Sequence, residues 1–209
     1  AQEGLSTTDL PDGQRVTLSE LIARDYNGYL GSRYAAEKDV RVSARVGDTT
    51  IRHVLQCHPD TEFARKELHF PNGKAEAWYI VATQVDGSIP CLYAGFKPGV
   101  TKEKWKELFE KQDIPAMLEC MHKIPVQAGK IYFVDAGMPH CLGPGNMFLE
   151  IHEPCDYTFR AEKYYLPDRT FSDFEMNYGL GNDKMLEAFH YDTYTEEEIL
   201  KKCVLEPGV

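Results

Sequence analysis

The sequence predicts a mainly β fold, an antiparallel sandwich or small barrel with helical additions, and three observations carry that prediction. From about residue 40 short β-rich runs follow one another: "TIRHVLQC", "AEAWYIVAT", "IPCLYAGF", "KIPVQAGKIYFVDAG" and "NMFLEIHEP". Gly and Pro punctuate them in "PNG", "VDGS", "KPG", "AGK" and "GPG", which is tight-turn chemistry. Helical periodicity is confined to the two ends and one insert.

In chain order, residues 1–16 read as an extended lead-in. "TLSELIARDYNGYLG" reads as a helix, with Thr17 and Glu20 as a capping box, Leu18, Leu21, Ile22 and Leu30 as its apolar stripe and Gly31 as its stop. This arm is expected over 1–39. A barrel follows over 40–166. Its first strand, "VRVSARV", alternates, with Val40, Val42, Ala44 and Val46 on one face. A helical insert at about 101–123 holds Trp105, Leu108 and Phe109, then Met117, Leu118 and Met121, at core-packing spacing. Residues 167–209 read as a tail of two short helices, "NDKMLEAF" and "TEEEILKKCV", the second capped by Thr195 and Glu198.

The bulk numbers exclude several functions. The 209 residues are 43% hydrophobic, enough for one sizeable core. A net charge of -10, from 23 basic and 33 acidic residues, repels nucleic acid and anionic lipid, so neither is an expected partner. No window approaches the ~18 apolar residues of a membrane helix. The start, "AQEGLSTTDLPDG", lacks the blocks of a signal peptide, and it lacks Met, as a processed chain or a piece of a longer one does. Cysteines 57, 91, 120, 141, 155 and 203 show no C-x-x-C spacing, so reduced thiols in the cytoplasm are expected. The oligomeric state is left open.

The chemistry gathers at "LQCHPD". In a strand, residues two apart point the same way, so Gln56 and His58 share a face and Cys57 turns to the other. In "NGKAEAWYIV", Lys74 and Glu76 share a face, and an inward Glu76 would need a cation or an ion pair. In "GKIYFVDAGMPHCLG", two glycines and Pro139 stiffen a turn that presents His140. Gln56, His58, Glu76 and His140 then read as ligands for Zn²⁺ or another borderline divalent ion. The plainer reading stands beside it: Glu76 as an outward rung, and each histidine hydrogen-bonded or solvated. His53, His69, His122 and His190 keep that plainer reading.

"GKIYFVDAGMPH" resembles the second cupin motif, with Asp135 where proline is usual. "LQCHPDTEFARKEL" followed by "NGKAEAWYI" resembles the type I mannose-6-phosphate isomerase signature, Q-x-H-P-D and then G-K-x-E-x-W-Y-I. "LEIHEPCDYTFRAEKY" is similar to that family's E-x-x-x-x-S-D-x-x-x-R segment. The motifs fall in order over roughly 50–165. The resemblance implies a cupin barrel, a double-stranded β-helix or jelly roll, holding one zinc through Gln56, His58, Glu76 and His140. It implies Arg160 and Lys74 as catalytic, and Asp156 and Glu150 as substrate-binding. The implied reaction interconverts mannose 6-phosphate and fructose 6-phosphate, or a related sugar phosphate, through an enediolate. The chain departs from the family in Cys155 for the usual Ser and in His152 where Gln is common. An upstream segment and the large helical domain of longer members have no counterpart. The alternatives are a non-catalytic, metal-containing sugar-binding or regulatory cupin, and an Fe(II) oxygenase-type cupin, against which a Gln ligand argues.

Overall fold

The computed structural model describes residues 5–39, 41–84, 89–206 and 208. Two units divide the chain, residues 1–42 and 43–209. In the first, β1 (Thr7–Asp9) pairs antiparallel with β2 (Arg15–Thr17). The Thr17–Glu20 capping box starts α1 (Leu18–Arg24). One helix was expected here and two form. Asp25 leaves helical space at φ -153°, and its carboxylate caps α2 (Tyr26–Tyr34) by accepting the Gly28 N–H at 2.9 Å. A short acid that can cap the next segment competes with continuing the first. The expected stop at Gly31 is visible as a break inside α2, where φ is 72°.

The second unit runs β3 (Ser43–Thr49), β4 (Gln56–Cys57), α3 (Thr61–Glu67), β5 (Glu76–Thr83) and β6 (Cys91–Phe96). The insert follows as α4 (Lys102–Lys111) and α5 (Ile114–Glu119). Then come β7 (Met121–Pro125), β8 (Ile131–Val134), β9 (His140–Leu142), β10 (Asn146–His152) and β11 (Phe159–Arg160). The hairpin β12 (Tyr164–Leu166) and β13 (Arg169–Thr170) leads to α6 (Asp173–Asn177), α7 (Asn182–Leu186), α8 (Glu196–Cys203) and β14 (Val204–Leu205). Two five-stranded antiparallel sheets result, in the orders β14-β8-β5-β10-β3 and β11-β4-β9-β6-β7. The fold is mainly β, as expected.

Period-two alternation builds the core shared by the two sheets. Trp78, Ile80, Tyr132, Val134 and Phe148 from the first meet Leu92, Ala94, Ile124 and Leu142 from the second. Helix α8 adds Ile199 and Cys203 to this cluster. The other face of the second sheet packs Cys57, Phe96 and Cys141 against the helices, through Trp105, Phe109, Met117, Met176, Met185 and Phe189. Among the described residues no helix is long and apolar enough to cross a membrane.

Three local expectations change, and one is made specific. The helical insert ends at Glu119, and Met121, His122 and Lys123 form a strand, so Met121 is core packing on a strand. "TIRHVLQC" is extended only at Gln56–Cys57 as a paired strand. Helix α6 and strand β14 accompany the two expected C-terminal helices. The valine face of β3 is the outer one: Val42 and Val46 are exposed, and Thr49 is the buried residue of β3. Ser43, Arg45, Gly47 and Thr49 share the other face, opposite His152, Glu150, Phe148 and Asn146, and the exposed Arg45 reaches the buried Glu150 carboxylate from the edge. An Arg that finds a buried carboxylate outweighs two valines on an edge strand. Val40 lies outside the described residues.

Trp105 is fully buried, edge-on to Phe96 at 4.8 Å, and its indole N–H is without a hydrogen-bond partner. Trp105→Ala is expected to lower unfolding free energy by about 3–5 kcal/mol in urea titration. Trp105→Phe is expected to cost distinctly less, because it also removes the unbonded N–H.

Candidate metal centre

Strand pairing assembles the site at one end of both sheets. Gln56 stands opposite His140 between β4 and β9, and Glu76 stands opposite His152 and Val134 between β5, β10 and β8. The turn geometry behind this is specific. Gly137 has φ 82°, and a Cβ there would lie 2.4 Å from the His190 ring. Its N–H donates to the His58 carbonyl at 2.7 Å, which ties the His140 turn to the "HPD" turn. Asp60 then caps α3 by accepting the Phe63 N–H at 2.7 Å, so the chain turns away directly after the site.

Among the described residues, His58, Glu76 and His140 form the one group of three such side chains whose ligand atoms all lie within 4.8 Å of one another. Glu76 Oε1 is 2.8 Å from His140 Nε2 and 3.2 Å from His58 Nε2. The Gln56 amide end lies 3.2 Å from His140 Nε2 and 3.5 Å from His58 Nε2. All three chelating side chains are buried.

The hydrogen bonds behind the rings decide what they present. A carbonyl oxygen only accepts, so His58 Nδ1–H donates to Tyr157 O and His140 Nδ1–H donates to Met138 O, both at 2.9 Å. Each neutral ring therefore turns an Nε2 lone pair inward, toward the Glu76 carboxylate. Burial lowers the His58 pKa, against the pull of Glu76, so this ring is neutral at pH 7. Burial pushes the Glu76 carboxyl up, but His58 and His140 more than offset it, and it stays well below the usual carboxylate range. Two imidazole lone pairs and a carboxylate converging in a buried space fit a divalent cation. Turning the Gln56 amide by half a turn brings its oxygen to the same place.

Lys74 is buried with its Nζ 3.1 Å from Glu76 Oε2 and 4.0 Å from Glu150 Oε1, as their shared inward face requires. Glu150 is buried too. Arg160 sits opposite Gln56 in the β11–β4 pair. Its guanidinium donates to the carbonyls of Thr158 and Glu175 and lies 5.0 Å over the Phe171 ring. Asp156 is exposed, and among the described residues it forms no ion pair with Arg160. Cys57 points away from the centre into the helix-side cluster, and burial raises its thiol pKa well up, so it is inert.

Sequence reasoning missed the groups around Glu150: Arg45, Trp78 and His152. Trp78 Nε1–H donates to Glu150 Oε2 at 3.1 Å and Arg45 Nη2 to the same oxygen at 2.9 Å. The available signal was the second register of β3, in which Arg45 alternates with small residues.

Over 110 residues, 53% of this chain and 33% of the relative, the sequence is 30% identical to mannose-6-phosphate isomerase ManA of Bacillus subtilis. Over 107 residues, 51% of this chain and 31% of the relative, it is 32% identical to the mannose-6-phosphate isomerase of Streptococcus mutans. The matched stretch thus spans about a third of the length of these curated relatives. The crystal structure of the mannose 6-phosphate isomerase from Bacillus subtilis matches 93% of this chain and 59% of its own, with a TM-score of 0.69 and 22% identity, which is a likeness of fold. No protein-family model matches the chain.

Zinc at ~100 times its Kd is expected to stabilise the wild-type chain by about 2.7 kcal/mol in thermal or urea unfolding, and to leave Glu76→Ala unmoved. Without metal, stability should fall with pH. His58 takes its proton more readily unfolded than folded, so acid favours unfolding below its ordinary 6.5. Glu76 adds to the loss below its ordinary 4.5. A flat unfolding midpoint between pH 7 and 4 would contradict the His58 assignment, and one flat from pH 4 downward the Glu76 assignment.

Proposed function

We propose that this chain, a relative of the type I mannose-6-phosphate isomerases, is a zinc-dependent aldose–ketose isomerase. It interconverts mannose 6-phosphate and fructose 6-phosphate, or a closely related sugar phosphate, through an enediolate. The observation that carries this reading is the buried set His58, Glu76 and His140 with the Lys74 ammonium against the same carboxylate. We assign the cupin double-stranded β-helix to the paired five-stranded sheets, and one zinc per chain to Gln56, His58, Glu76 and His140. The setting is the cytoplasm, supported by six free, buried thiols.

Bound zinc supplies Lewis-acid stabilisation of the negative charge that develops on the sugar O1 and O2. The rest is work for side chains. Isomerisation removes a proton from C2 of the aldose and returns one to C1. Lys74 is the group held beside the ligand set to carry it: as the free amine, its ammonium proton given up to solvent, it takes the C2 proton and returns it to C1, and burial next to two carboxylates keeps its Nζ in one place. Glu150 lies on the same inward surface and takes sugar hydroxyls, and exposed Asp156 contacts the outer part of the substrate. Arg160 places a fixed positive charge near the developing oxyanion.

A second reading, a metal-containing sugar-binding or regulatory cupin without turnover, draws on one observation. The Arg160 guanidinium is engaged by two backbone carbonyls and the Phe171 ring. A catalytic Arg160 must leave part of that cage on binding sugar.

The two readings part in one assay. Zinc-loaded protein should convert mannose 6-phosphate to fructose 6-phosphate, lose activity on chelation and regain it with zinc. Lys74→Gln should lower kcat by about a hundredfold or more with metal content unchanged. Bound zinc, saturable sugar-phosphate binding and no turnover would establish the second reading instead.

A further inference from the structure

The outer face of the first five-stranded sheet is apolar from one edge to the other. Register fixes one row of it. Val46 on β3 lies opposite Leu149 on β10, and Leu149 opposite Tyr79 on β5. Tyr79 lies opposite Ile131 on β8, and Ile131 opposite Leu205 on β14. The next row is of the same kind, with Ile151 between Ala44 and Ala77, and Ala77 opposite Phe133. At the other end a bulge between β5 and β10 leaves Val81 exposed near Met147. Among the outward positions of these strands one is charged, Asp48 at the end of β3.

These side chains stand in water. Val46 is 67% exposed, and Tyr79, Val81, Met147, Ile151 and Leu205 are each at 40% or more. Among the described residues neither core cluster contains a member of the row, whereas Trp78, Ile80 and Phe148, which alternate with it, fill the core between the sheets. Exposed apolar residues scattered singly are ordinary, but a contiguous face is not. Strands about 4.8 Å apart and residues about 3.4 Å apart make this face roughly 25 Å by 20 Å with its side chains, about 500 Å². That exceeds the about 400 Å² per side of casual contacts and, with its rim, approaches the about 800 Å² per partner of a stable interface.

We infer that this face is a two-fold interface with a second copy of the chain, outer sheet packed on outer sheet. Width argues for a sheet as the occupant. A single helix, about 10 Å across, leaves more than half of the face bare. A second sheet stacked about 10 Å away and turned by about 30° covers all of it. Charge argues for a copy of the same chain. A two-fold interface sets one patch against itself, so the patch must be self-complementary. Each copy carries a net charge of -10, and an uncharged face is where two such copies meet without like charges in contact. Asp48 lies at the margin of the face, where water still reaches it. Glu76 and Glu150 alternate with the outer residues and are buried on the opposite side, so association leaves the metal centre clear.

Sedimentation equilibrium of the full chain at about 50 µM should give twice the chain mass, with a dimer Kd in the micromolar range or tighter. Tyr79→Lys and Val46→Lys place a charge on the face at exposed positions. Each should raise that Kd by about a hundredfold or more and leave the circular-dichroism spectrum unchanged. Phe174→Lys, an exposed position on α6, is the control and should leave the Kd unmoved. Should the lysine variants fold poorly, a photo-reactive benzoylphenylalanine in place of Tyr79 reads the contact directly. In a mixture of unlabelled and nitrogen-15-labelled chains, it should join one copy to the other within residues 44–49, 77–83 or 146–151. A monomer at about 50 µM, a dimer that Tyr79→Lys does not weaken, or one that Phe174→Lys weakens equally overturns the inference. Crosslinks confined to single chains overturn it too, because the face is then covered from within the chain.

Discussion

A carboxylate buried at the end of a β-sheet has to be met by positive charge or by hydrogen-bond donors, and Glu76 organises its surroundings around that demand. Lys74 meets one oxygen, and the other faces the Nε2 atoms of His58 and His140, where a bound cation would meet it. Lys74 then faces Glu150, and Glu150 faces Arg45. Charges alternate in sign along this chain of contacts, from the centre of the sheet to its β3 edge. Each buried member is tolerable because of the next, and Arg45 at the edge is itself exposed to water. The arrangement turns two histidine Nε2 atoms, the Gln56 amide and one carboxylate oxygen toward one point, and that is what makes the centre a place for a cation.

The same demand explains the local structure that looks least regular. Strand β3 turns its valines outward because its alternate residue, Arg45, closes the charge chain. Gly137 takes a left-handed conformation against His190 so that the His140 turn can bond the His58 carbonyl. Both features cost conformational freedom or apolar burial, and both hold groups at the centre. The helices α4 to α7 stand on the other face of the second sheet, where Cys57 and Cys141 join them. They brace the strands that carry Gln56 and His140, and α6 also holds the Arg160 guanidinium through the Glu175 carbonyl.

Much was legible from the residues because strand alternation is a strict rule. Gln56 and His58 on one face with Cys57 on the other, Lys74 beside Glu76, and His140 presented by a stiff turn all follow from period two and turn chemistry. The capping boxes at Thr17 and Thr195 also follow, since they are local. Which face of β3 turns inward was left open for a physical reason. Its two alternating sets are both self-consistent in sequence, and only the partner across the ladder, Glu150, chooses between them. Asp25 was passed over because a cap inside an apparent helix is indistinguishable in pattern from a surface acid.

The sequence by itself determined the mainly β character, the ligand candidates and which of them share a strand face. Those properties depend on neighbours one to four residues apart. Only the tertiary structure decided that Glu76 faces inward, which face of β3 is exposed, and that Glu150 is held by Arg45 and Trp78. Those depend on pairings across many residues, such as Arg45 with Glu150 and Gln56 with His140. The energy of a buried charge is set by what surrounds it in space, and a linear pattern does not contain that information.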